Sequence, residues 1–74
     1  MSHSPETHQQ LVARIPQVTG RDLAAWFQCL EDGPSLTRFE ERVNWLADEH
    51  QLSHGYASAI VQEHDRRRAQ RSFS

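Results

Sequence analysis

Histidine, cysteine, arginine and tryptophan are the residue types in this chain that could carry chemistry, and the five histidines come first. His50 and His54 are four apart, a spacing that on one helix would suit a metal ion, and Glu49 and Glu63 could complete a site. A turn expected between them breaks that geometry. They read instead as boundary or capping histidines with one ring nitrogen satisfied by backbone. His64 falls on an apolar stripe, and His3 and His8 stand near the N-terminus. Neither a metal nor a cofactor is expected.

Nucleophilic catalysis would need Cys29 or a serine beside a histidine. Cys29 is the only cysteine, so no internal disulfide and no four-cysteine zinc site can form. It lies off the apolar face of its helix, and it reads as a packing residue or an incidental thiol. No glycine-rich phosphate loop is present, and Gly55 stands alone. The pairs Glu40-Glu41 and Asp48-Glu49 point different ways on a helix and read as solvated faces. The chain is not expected to be an enzyme or to turn over a small-molecule substrate.

Recognition is the better-supported chemistry. Trp45 lies to one side of its helix's core stripe, and tryptophan is a residue type that anchors interfaces. Packing over the gap between the last two helices, against Leu52 or Tyr56, is the competing role. His54, Gly55 and Tyr56 open the last helix, whose free N–H groups suit an anion or a carboxylate. The candidate partner-binding corner is therefore Trp45, His50, His54, Gly55 and Tyr56.

The second candidate surface is electrostatic. All eight basic residues are arginine, and four of them, Arg66, Arg67, Arg68 and Arg71, fall in the last nine positions without an acid among them. Residues 22–65 carry nine acids against Arg38 and Arg42. An acidic body with a basic end repels nucleic acid everywhere except at that end. The arginines also suit a solvated helix terminus, complementing the helix dipole and pairing with Glu63 or Asp65.

These residues must be positioned by few elements, because 74 residues make one small domain. Such a domain hides only about 60% of the surface its unfolded chain exposes, and its core supplies about 3–5 kcal/mol. That size excludes a deep enclosed active site and favours a partner or self-association. With 36% hydrophobic residues at regular spacing, the chain is not wholly disordered. No stretch of about 18 apolar residues exists to cross a membrane. The N-terminus lacks the basic start and apolar run of a secretory signal, so a reduced, cytoplasmic setting is expected.

Four helices and no strand are predicted. The first runs from about Pro5 to Val18, with Ser4 as N-cap and His8, Leu11, Ile15 and Val18 on one stripe. Pro16 should kink or end it. Gly20 follows as the residue closing that helix, and Asp22 caps a second helix over about 23–31. Leu23, Trp26, Phe27 and Leu30 form its buried face. Asp32-Gly33-Pro34-Ser35 is a breaker. Thr37 and Glu40 form a capping box for a third helix reaching His50, with Phe39, Val43, Leu46 and His50 inward. Gln51-Leu52 leads to Ser53, the N-cap of a fourth helix with Ala57, Ile60, Val61 and His64 as its apolar face. Residues 1–4 and 71–74 are expected to be flexible, leaving 5–70 as a single all-α bundle with a tight helix-turn-helix-like turn between its last two helices.

Two resemblances follow. Thr19-Gly20-Arg21, Trp26, Trp45-Leu46 and Glu49-His50-x-Leu52-x-His54-Gly55-x-Ala57 together resemble a family of small bacterial all-helical domains of unknown function, over about residues 9–64. That resemblance implies a fold and a bacterial origin, and no activity. Pro16 and Ser53 depart from its pattern. Residues 46–60 are also similar to the helix-turn-helix of bacterial repressors, with Ala47, Leu52, Ala57 and Ile60 inward and Ser53 capping. That likeness implies DNA contacts by His54, Tyr56, Ser58 and Gln62. Gln51 stands where the turn glycine usually is, and no arginine or lysine precedes Arg66 on the proposed reading helix. The leading expectation is a non-enzymatic module that binds another protein. DNA binding through the fourth helix and the arginine-rich end is the alternative, and a homodimer remains open under both.

Overall fold

The computed structural model describes residues 8–72, with side chains as far as Gln70. Four helices follow one another, α1 (His8–Thr19), α2 (Leu23–Asp32), α3 (Phe39–His50) and α4 (His54–Ser72). No strand occurs among the described residues. The all-α bundle read from the sequence is the fold of the protein. The expected start at Pro5, with its Ser4 cap, lies outside the described residues. At the other end α4 continues to Ser72, past the expected boundary at Gln70.

Helix ends explain most of the layout. Asp22 caps α2 as predicted, its carboxylate accepting from the Ala25 N–H at 2.9 Å. Gly20, at φ +81°, closes α1 in the left-handed conformation that glycine adopts freely, and its N–H bonds to the Pro16 carbonyl. Ser53 accepts from the Tyr56 N–H at the start of α4. The link from α3 to α4 turns on Gln51, which takes the left-handed conformation (φ 55°) as a non-glycine C-cap.

As expected, α1 continues past Pro16, and it ends three residues further on at Thr19. The Pro16 ring lies on the exposed side, and in the last turn the Thr19 hydroxyl donates to the Ile15 carbonyl (2.7 Å). The Thr37–Glu40 capping box does not form. Leu36 N–H bonds back to the Pro34 carbonyl, and the helix starts at Phe39, so Arg38 occupies the cap position without a side-chain bond. Glu40 and Glu41 in the first turn still complement the dipole.

α4 is the central element and packs on α1, α2 and α3. The core consists of Ile15, Trp26, Val43 and Leu46 together with Ala57, Ala59, Ile60 and Val61. Each fully buried Ile, Val or Leu side chain contributes about 1.5–3 kcal/mol before entropy is counted. The predicted α4 face, Ala57, Ile60, Val61 and His64, is buried, but so are Ala59 and Glu63. At roughly 100° per residue these positions cover more than half of the helix circumference. Val18 corrects the α1 stripe: it is 58% exposed, and α1 joins the core through Leu11, Val12 and Ile15 instead.

Candidate functional site

A groove of about 420 Å³ opens where the end of α1, the start of α2 and the α3–α4 turn meet. Trp26, Leu52 and Tyr56 give it apolar surface, with Val18 at the α1 side. Thr19, Arg21, His50, Gln51 and Ser53 supply its polar groups. The turns explain why these residues converge. Gly20 reverses the chain so that Thr19 and Arg21 face α2, and the left-handed Gln51 brings Leu52 and Ser53 round toward α1.

The polar groups are held in place by short contacts. The Thr19 hydroxyl accepts from Trp26 Nε1 (3.0 Å) and from the Arg21 N–H (3.2 Å) while donating to Ile15. This fixes the buried indole and the α1–α2 turn against one another. The Arg21 guanidinium lies over the Trp26 ring, 5.0 Å from its centroid, and donates from Nη1 to Cys29 Sγ at 3.1 Å. His50 is gripped between two indoles, edge-on to Trp26 at 5.1 Å and to Trp45 at 6.0 Å.

The predicted corner is therefore divided. His50 and Tyr56 line the groove, whereas Trp45, His54 and Gly55 do not. Trp45 is half-buried, with its ring over the α2–α3 link. A Cβ built on Gly33 would fall 2.5 Å from its ring, so Gly33 is the residue that lets the indole sit there. Trp45 reaches the groove only by backing His50. His54 and Gly55 are exposed at the start of α4 and do not line the groove.

Sequence reasoning missed Val18, Thr19, Arg21, Gln51, Leu52 and Ser53 as groove residues, and it assigned Trp26 to the core alone. One signal was available. Thr19, Arg21, Trp26, His50 and Leu52 all belong to the pattern that carried the family resemblance, and the fold brings them to one place.

The arginine-rich end is built differently. Glu63 is only 2% exposed, and its carboxylate accepts from Arg66 (2.7 Å), Arg67 (2.9 Å) and the His8 ring (3.0 Å). The Arg66 hydrogen bond is the main cause that holds the Glu63 carboxyl down at about pKa 2; burial opposes it, and His8 and Arg67 add to it. Arg66 is correspondingly pushed further up by Glu63. Arg67 also lies over the Phe27 ring at 5.4 Å. The Arg71 side chain lies outside those described.

A second cleft of about 420 Å³ borders this region, between the α2–α3 link and α4. Its charges are paired within the chain. Arg42 makes a fork-like pair with Asp65 (2.6 and 2.9 Å), which raises the arginine's pKa chiefly by hydrogen bonding. His64 Nε2 lies 3.3 Å from Glu31 Oε2. Arg42 Nε and His64 Nδ1 are buried without a hydrogen-bond partner, His64 Nδ1 lying 3.9 Å from Asp65 Oδ1. Among the described residues no group of three or more His, Cys, Asp or Glu is arranged to hold a metal, and no helix is long and apolar enough to cross a membrane.

Fold and site together define a class: a small four-helix domain with one open, apolar-floored groove and an ion-paired opposite end. Within that class, the chain belongs to the family described as a domain of unknown function, DUF4287, whose model matches residues 7–66. No curated protein and no solved structure matches it.

Proposed function

We propose that this chain is a non-enzymatic binding module that takes a segment of another protein into the groove between α1, α2 and the α3–α4 turn. The observation that carries the reading is Val18. It is the one large hydrophobic side chain exposed among the described residues, and it lines the groove that Leu52 and Tyr56 also line. Apolar surface at a concave, pre-formed site is what a partner's side chain covers. The groove is too open to keep water from a reaction, which favours recognition over catalysis.

DNA binding through α4 is the weaker alternative. Arg66 and Arg67 are engaged by Glu63, and more than half of the α4 circumference is buried, which leaves little of it to enter a DNA groove.

The test is selection of a random-peptide phage library on the immobilised full chain, with Val18→Asp as counter-target. Enrichment of peptides that lose binding to a folded Val18→Asp variant is expected. Failure to enrich any peptide, combined with salt-sensitive binding of mixed-sequence duplex DNA, would overturn the reading in favour of DNA.

A further inference from the structure

Resting on that docking site, we propose that the segment it takes is acidic: an Asp or Glu carboxylate of the partner protein, next to an apolar residue, pairs with Arg21. Among the described residues the lining carries Arg21 and no acidic residue, although it is set in a body whose residues 22–65 are strongly acidic. The acid nearest in sequence, Asp22, is outside the lining and engaged as the α2 cap.

Arg21 also differs in kind from the other arginines whose partners are described. Arg42, Arg66 and Arg67 each pair with a carboxylate of the chain. Arg21 instead stacks on Trp26, and its hydrogen bond goes to a sulfur through one nitrogen, Nη1. A guanidinium held over an aromatic ring and tied through Nη1 has less rotamer freedom to lose on binding, and its remaining N–H groups suit a carboxylate. Ser53 and Tyr56 add hydroxyls across the groove, and Val18 and Leu52 are placed to cover the neighbouring apolar side chain. The charge selects the acid, and the apolar floor supplies contact area.

The selected peptides provide the test. Most should carry Asp or Glu beside Leu, Ile, Val or Phe. Replacing that acid by its amide should weaken binding about tenfold, the scale of a lost charge-assisted pair. In a folded Arg21→Gln variant the acid and amide peptides should bind alike, and Arg21→Lys should recover part of the difference. Arg21→Glu should turn the selection toward basic peptides. Two results would overturn the inference while sparing the docking site: Val18-dependent peptides that contain no acid, or an acid preference that survives in Arg21→Gln. If no peptide is enriched, the docking reading itself fails, and the inference falls with it. A concentration-dependent dimer of the wild-type chain that Val18→Asp abolishes would also overturn it, by showing that a second copy fills the groove.

Discussion

The two ends of this bundle hold similar residue types and use them in opposite ways. At the groove, Arg21 and His50 are braced by aromatic contacts, and among the described residues no carboxylate pairs with Arg21. At the far half of α4, Arg66, Arg67 and His8 close around Glu63, and Arg42 closes on Asp65. A cation already paired stabilises the fold and loses most of its attraction for anything else. A cation stacked on an indole keeps it. The number of arginines in a stretch therefore says less about binding than the carboxylates folded against them.

The largest effect should come from opening the closed end. Glu63→Ala removes a buried carboxylate that joins α1 to α4, and it should cost about 2 kcal/mol in urea denaturation. The cost is held below that of a fully buried pair because Arg66 and Arg67 are more than half exposed and can re-solvate. The same contact sets a pH dependence. Because the Glu63 carboxyl lies at about 2 in the fold, below its ordinary 4.5, the unfolded chain binds the extra proton. Stability from this group is thus complete above about pH 4.5 and is lost as pH falls toward 2. Wild-type stability should decline through that window, and Glu63→Gln should decline less. A parallel decline in both would show that other carboxylates govern it.

Gly33→Ala should have the next effect, and it reaches the groove from behind. The new methyl group would strike the Trp45 ring, which backs His50. A loss of about 1 kcal/mol, the lower end of the cost of overpacking, is expected, with changed tryptophan fluorescence. Full stability with unchanged fluorescence would mean that Trp45 does not lean on this link. Val18→Asp should have the smallest effect on stability, within about 0.5 kcal/mol, since the side chain is exposed. A larger loss would show that Val18 belongs to the core and not to the groove.

What the sequence disclosed divides along the same line. Asp22, Gly20 and Ser53 act within a few residues of themselves, and each marks its helix end in the structure. The buried faces of α2 and α4 follow from helical spacing, which is also local. The pairing of Glu63 with the C-terminal arginines was legible, but its burial was not, because that depends on packing that also brings His8, 55 positions away, against it. The groove was equally hidden. Thr19 and Arg21 meet His50 and Leu52 only after two turns and the packing of α4 have formed. Trp45 drew attention for being off its stripe, yet what fills the space beside it is Gly33, whose missing side chain leaves no periodic signal.

The central claim is that the open groove, and not the arginine-rich end, receives the partner. Titrating the ¹⁵N-labelled full chain with the best selected peptide, and following backbone amide shifts, tests it most directly. The account predicts perturbations concentrated at Val18–Arg21 and His50–Tyr56. Perturbations centred on Glu63–Gln70 would contradict it.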